Sequence, residues 1–587
     1  MNPTLEQPDE IPTETTLASL LHASMVDFDL LDDRYHALLQ LVDAVLGVVP
    51  NCDRYLEIWP PAFRTYNIMV PNLLNLPVPV FGVGGPTPTV IGLAMYVASR
   101  TAECPYCSAH SCSFAMRRGA ASAVVAAALL PERACFSRGE LAAIAVARSL
   151  ARVPGELTQG EKAELIAVYG ERNAEWIVLS VVMMGFLNKF MDAIGVELEQ
   201  GVADEVSATM GPDWSPGNAG ADLDLNTPRS APPVDGLRTK LRLLPLLPGA
   251  VRYDRQAQRG VPSKAPAVGA FLTKHVGHDF PILAELHSNR ARRAIASMLR
   301  ENLDPTTSAV GMETKVLAGT IFATVVDDES LAGDIAALAS HAGVAPERLR
   351  ACAAFARGQR THPPAASAPG EAALVLALAA SSSPARIDGS TVDALRAQGL
   401  SPEAIVEVIT WLAVLQMMHR LTCYTSVEGL KNVTTLEERN DRGVRHDRTQ
   451  EPRRRVDRHL GVPRPGLRAR LGHHPHGRVE PRVLPVRLVQ RGHRPRQGGA
   501  FQSQEQRQAR AILGQLAGGH RSRARQAVRL QPKWARHRLI HLAIRHGTDP
   551  DRYKADRILR RRATARLGHD VADDEVDRKC RPRRRPA

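Results

Sequence analysis

The chain has 587 residues, with 44% hydrophobic but only 4% aromatic side chains. Abundant Ala with few aromatic residues favours close-packed helices over sheets, and no uninterrupted run of about 18 apolar residues marks a membrane span. The net charge of +14 is unevenly placed: from Arg439 onward, 37 Arg and 3 Lys face 14 acidic residues for a net of +26, leaving −12 on residues 1–438. The body is acidic, and the basic character belongs to the tail alone.

The opening, MNPTLEQPDEIPTETT, is polar and acidic, with no basic segment leading into an apolar one. It carries no secretory signature, so a cytoplasmic protein without a membrane partner is expected, with residues 1–20 as an acidic N-terminal tail. Residues 21–210 then read as helices joined by Pro and Gly breaks. The eight cysteines are too sparse for a disulfide scaffold, but three of them crowd the segment SRTAECPYCSAHSCSFAMRRG.

Within that segment, Pro105 fits the first position of a helix, placing Cys104 at the cap and Cys107 in the first turn. The unpaired N–H groups and the positive end of the helix dipole favour a thiolate there. A Cys-x-x-Cys pair lies on one helical face and can close a small disulfide. His110, one turn beyond Cys107, is placed to take a thiol proton or to stabilise a thiolate. Zinc is the rival chemistry, but Cys104, Cys107, His110 and Cys112 on one continuous helix cannot converge tetrahedrally, so no metal and no cofactor is expected. Cys112 reads as a small core residue.

Residues 211–262, rich in Pro, Gly and Asp at their start, read as a linker. Residues 263–436 resemble the first half weakly. TPTVIGLAMYVASRTAE aligns with GMETKVLAGTIFATVVD at an offset of 224, and EWIVLSVVMMGFLNKFMDAIG with EAIVEVITWLAVLQMMHRLTC at an offset of 228. A duplicated helical domain is the economical reading. In the second copy, Asp328 and Leu331 stand where the first has its cysteines, and His341, His419 and Cys423 read as core or surface residues. Residues 437–587 hold 11 of the 20 His and lack apolar periodicity. They read as a disordered tail with the composition of GC-rich coding sequence translated out of frame, and without aromatic interleaving they give no case for nucleic-acid binding.

The stretch ECPYCSAH, preceded by VIGLAMYVASR and followed by FLNKFMDAIGVELE, resembles the alkylhydroperoxidase D-like/carboxymuconolactone decarboxylase family. The resemblance implies an all-α fold of two tandem domains of that type, the second degenerate and standing in for the neighbour of a homo-oligomer. It further implies a thiol-dependent hydroperoxide reductase, with Cys107 as the peroxide-attacking thiol, Cys104 as the resolving thiol and His110 as the proton relay. Its partners would be a hydroperoxide substrate and an external thiol reductant. The family's relay Glu falls at Gly92 here, which leaves Glu103 as the carboxylate nearest the motif, and the family His usually lies one residue beyond His110. A thiol redox sensor and a decarboxylase-like protein without peroxidase turnover remain alternatives. CPYC is also a glutaredoxin spelling, but the strand-first context of that fold is missing.

Overall fold

The computed structural model describes residues 16–81, 84–129, 136–211, 214–220, 223, 231–364 and 367–427. The acidic segment up to residue 15, Cys135, and the basic tail with Cys580 lie outside the described residues. Among the described residues, every regular element is helical.

The first part of the chain forms α1 (Leu17–Leu21), α2 (Phe28–Leu46), α3 (Cys52–Leu56), α4 (Pro60–Leu73), α5 (Val78–Phe81), α6 (Pro88–Thr101), α7 (Pro105–Arg117), α8 (Ser122–Ala127), α9 (Arg138–Ala151), α10 (Gln159–Tyr169), α11 (Glu171–Ile194) and α12 (Gln200–Met210). The stretch read as a linker carries two helices, α13 (Leu237–Leu243) and α14 (Leu247–Ala257). The rest comprises α15 (Ala265–Val276), α16 (Asn289–Asn302), α17 (Gly311–Val325), α18 (Glu329–His341), α19 (Pro346–Ala356), α20 (Ala368–Ser381), α21 (Gly389–Ala397) and α22 (Pro402–Ser426).

Local chemistry sets these boundaries. Ser137 with Glu140 and Thr158 with Glu161 form reciprocal capping boxes at the heads of α9 and α10, satisfying backbone N–H groups that no helical turn can reach. Pro begins α4, α6, α7, α19 and α22, where its missing N–H leaves no bond unmade. Positive-φ Gly47, Gly195 and Gly277 close α2, α11 and α15 in the left-handed region that glycine enters most easily.

Helices α17 to α22 follow one another with lengths close to those of α6 to α11, apart from the shorter α8. The correspondence reaches single residues. Glu103 (φ 55°) and Asp327 (φ 54°) hold the same left-handed turn. The next residue caps the following helix in each copy: Cys104 Sγ accepts from the Cys107 N–H at 3.4 Å, and Asp328 Oδ1 accepts from the Leu331 N–H at 2.9 Å. Asp is among the best helix caps. The first copy therefore keeps a sulfur where a carboxylate would hold the helix better.

The longest helices, α11 and α22, pack against each other at the centre of the core. Both are long and apolar enough to cross a membrane by length and composition, yet 89% and 100% of their most apolar windows are buried inside the protein. Gly185 permits their close approach, since a Cβ there would lie 3.0 Å from Arg420 Cδ and 3.2 Å from Met417 Cα. Buried polar groups cross this core with partners. Lys189 Nζ donates to the carbonyls of Ala380 (2.8 Å), Ser381 and Ser382, and burial pulls its pKa down to about 7. Glu175 Oε1 and Oε2 accept the N–H groups of Ser288 and His287 at the head of α16 (2.7 and 2.6 Å).

Candidate dithiol site

The site is built at the head of α7. Cys104 occupies the cap and Pro105 the first helical position, so both cysteines stand where the sequence puts them. Both are free thiols, and the Cys107 backbone N–H donates to Cys104 Sγ at 3.4 Å. Their exposures differ usefully: Cys104 is sealed at 0% and Cys107 reaches 3%, on the wall of a cavity of about 180 Å³. Ser108 Oγ donates to the Cys104 carbonyl (2.7 Å) and Ser111 Oγ to that of Cys107, fixing the first turn.

His110 also lines the cavity. Its Nε2 lies 2.7 Å from Glu199 Oε2, at the head of α12. The other oxygen of Glu199 accepts from Tyr106 Oη (2.8 Å) and from the Asn51 N–H (2.5 Å). Burial works to raise the pKa of Glu199, but His110 and these N–H donors outweigh it and hold the carboxyl below its ordinary value. The carboxylate paired with the motif histidine is thus Glu199, whereas Glu103 is exposed at the turn before the cap. At Gly92 a Cβ would lie 2.7 Å from Ala115 Cα, so α6 and α7 touch where a larger side chain would need room.

The expectation of a thiolate is reversed for the resting site. Burial, then the hydrogen bond and charge of Cys104, with Cys52 and Asp192 beyond, push the Cys107 thiol well above its ordinary value. The helix terminus does not offset this desolvation, so Cys107 is held as a thiol and attack requires a proton acceptor. Arg420 of α22 is the nearby cation. It is fully buried, donates to the Val181 carbonyl at 2.9 Å, and has an Nε without a hydrogen-bond partner among the described residues. Desolvation lowers its pKa to about 10, while the thiols of Cys107, Cys423 and Cys104 pull the other way. A negative charge forming on either motif sulfur would gain from this guanidinium.

Motif spacing does not reveal Glu199, Arg420 or a third thiol, Cys52, because they come from the head of α12, from α22 and from α3. Cys52 lines the same cavity, as do Tyr106 and Tyr66, and burial pushes its thiol well up. Beside it, Asp53 is buried, and desolvation followed by the charges of Glu199 and Glu57 lifts its pKa to about 8. A carboxyl whose folded pKa lies above its unfolded one binds more protons when folded, so stability falls as pH rises from about 4 to about 8, by up to about 1.4 kcal/mol per pH unit. Asp53→Asn is expected to flatten this fall, and urea unfolding at pH 5 and pH 8 checks it: equal losses in variant and parent would refute the assignment.

The remaining walls are mostly apolar, with Leu38, Val42, Val70, Phe114, Met184 and Leu187 closed by Leu243 and Leu247 from α13 and α14, while Asn67, Asp254 and Arg290 add polar groups. Among the described residues no three His, Cys, Asp or Glu side chains converge as a metal site. Compared with known proteins, the chain matches no family model, no curated protein and no solved structure.

Proposed function

We propose that this protein is a thiol-dependent hydroperoxide reductase built on two tandem alkylhydroperoxidase D-like domains, the first redox-competent and the second degenerate. The observation that carries the reading is Cys107 on the cavity wall, its N–H donating to Cys104 Sγ with Cys104 sealed behind it, and the His110–Glu199 pair on the same cavity. Cys107 is the attacking thiol because it alone of the pair faces the space a substrate would enter. Its proton passes to the His110–Glu199 pair, and the sulfur attacks the terminal oxygen of the hydroperoxide. The O–O bond breaks, the alcohol leaves with the relayed proton, and Cys107 becomes a sulfenic acid. The Cys104 thiol then displaces water from that sulfenic acid to form a disulfide, which an external thiol reductant reopens. The apolar walls favour an alkyl hydroperoxide over hydrogen peroxide, because burying an alkyl chain supplies about 0.8 kcal/mol per CH₂.

The second copy supplies Arg420 and covers the sulfurs through α22, the place a second subunit would otherwise fill. Glu199→Gln keeps the side-chain size and removes the charge paired with His110. It is expected to lower turnover by about a hundredfold, the usual scale of general acid–base assistance, and to shift the pH–rate profile. Steady-state reduction of cumene hydroperoxide with a dithiol reductant measures both, and an unchanged rate with an unchanged profile would remove Glu199 from the relay. A non-enzymatic sensor would oxidise once in the same assay and stop.

A further inference from the structure

The segment read from sequence as a linker presents two faces. Its inner face closes the dithiol cavity: Leu243 of α13 and Leu247, Ala250 and Val251 of α14 line the same space as Cys107 and His110. Its outer face is apolar as well. Among the described residues eight large apolar side chains are exposed, and five of them, Val234, Leu237, Leu241, Leu244 and Val251, fall between residues 234 and 251. Leu237, Leu241 and Leu244 recur at i, i+4 and i+7, one stripe along α13 and the residue that caps it, while Leu243, on the other side, is buried. Soluble proteins scatter such residues singly, so a cluster of this kind marks a surface that something covers. Val251 both lines the cavity and is 43% exposed, so the space behind the two helices reaches the surface beside this stripe.

Charge identifies the cover. Residues 237–259 hold six Lys and Arg against one acid, Asp254, a net of +5 within a body of net −12. Arg242 is exposed next to Leu241, and Arg252 and Arg255 of α14, with Arg259 just beyond it, are exposed at i, i+3 and i+7. α2, packed against both helices, carries one acid, Asp43, between its cavity-lining Leu38 and Leu46. A second copy docking through this face about a twofold axis would set cation against cation. Anionic headgroups would instead neutralise the cations while the leucines enter the acyl region. We propose that α13 and α14 are an interfacial anchor that holds this protein against an anionic lipid bilayer, with the mouth of the cavity turned to the acyl chains. The expectation of no membrane partner follows from the lack of a spanning or secretory segment, and helices lying flat in the interface need neither. The docking uses no property of either motif cysteine. Only one consequence rests on the hydroperoxidase reading, namely that the substrate is a hydroperoxide dissolved in that bilayer.

The test uses the full chain, sedimented with vesicles of phosphatidylcholine alone or with about one third phosphatidylglycerol. Binding to the anionic vesicles is expected to be at least about tenfold tighter, and to weaken steeply between about 0.1 M and about 0.5 M salt. The net of +26 beyond Arg439 is common to parent and variants, so the local readouts decide. Amide hydrogen exchange across 237–257 is expected to slow at least about fivefold on the anionic vesicles. The triple variant Leu237→Ser, Leu241→Ser, Leu244→Ser is expected to bind them at least about tenfold more weakly than the parent. No binding, sedimentation without local slowing, or a triple variant that binds like the parent would overturn the proposal. So would a parent that is a dimer in free solution and a monomer in the triple variant, which gives the face to a second copy. Amide exchange in the parent decides alone if the variant fails to fold.

Discussion

Cys107→Ser is expected to abolish hydroperoxide consumption, to below about a thousandth of the parent rate, because removing a nucleophile leaves only the binding and charge of the surrounding site. Cys104→Ser behaves differently. Cys107 still faces the cavity and retains His110–Glu199, so it is oxidised once; no thiol then displaces water from the sulfenic acid and turnover stops. Dimedone should trap that sulfenic acid on Cys107 in the Cys104 variant and find almost none in the parent, where the neighbouring thiol consumes it. Parent-like turnover by the Cys107 variant would overturn the roles, and so would trapping on Cys104 in that variant at the parent's rate. The asymmetry rests on exposure, since the two sulfurs share a helix turn and only one touches the cavity.

The second large effect is on stability. Lys315 of α17 and Glu407 of α22 form an ion pair at 2.5 Å with both side chains almost wholly buried. Glu407 also accepts from Ser308 Oγ (2.6 Å) and from the N–H groups of Ala309 (2.5 Å) and Val310 (3.0 Å) at the head of α17. One carboxylate thus ties the start of α17 to the helix that carries Arg420, His419 and Cys423. Glu407→Gln leaves a buried ammonium without its counter-charge, and such losses run to about 3–5 kcal/mol. Burial already lowers the Lys315 pKa, so the variant sheds part of this cost by releasing the proton and becomes steeply less stable towards acid. Lys315→Met with Glu407→Gln should recover a substantial part of the loss. Urea unfolding of the three variants checks both statements, and a single variant within about 1 kcal/mol of the parent would contradict the role given to the pair.

The helical character of the body was legible because it depends on composition and on local signals: Ala in abundance, Pro at helix starts, and Ser or Thr three residues ahead of Glu. The start of α7 followed from Pro105 alone. What the sequence hid depends on chain crossings. Glu199 lies 92 residues from Cys107, at the head of a helix with no motif of its own, and only the fold brings it to His110. Gly92 carries no meaning in one dimension, but in three it is the clearance that lets α6 and α7 touch. The thiolate expectation weighed the helix terminus without the desolvation that a sealed site imposes. The stretch read as a linker holds Leu243 and Leu247, which wall the cavity, because Pro- and Gly-rich neighbours masked two short helices. His419 and Cys423 read singly as core or surface residues, and only the fold sets His419 beside Asp328.

The central claim is that Cys104 and Cys107 cycle between dithiol and disulfide. The most direct test is the mass of the fully reduced chain after one equivalent of cumene hydroperoxide, with the peptide holding both residues mapped before and after a dithiol reductant. The expected result is the loss of two hydrogens within that peptide, formation of one equivalent of cumyl alcohol, and complete reversal by the reductant. A peptide that keeps its mass while the hydroperoxide persists, or that gains oxygen on Cys107 without ever closing to Cys104, would contradict it.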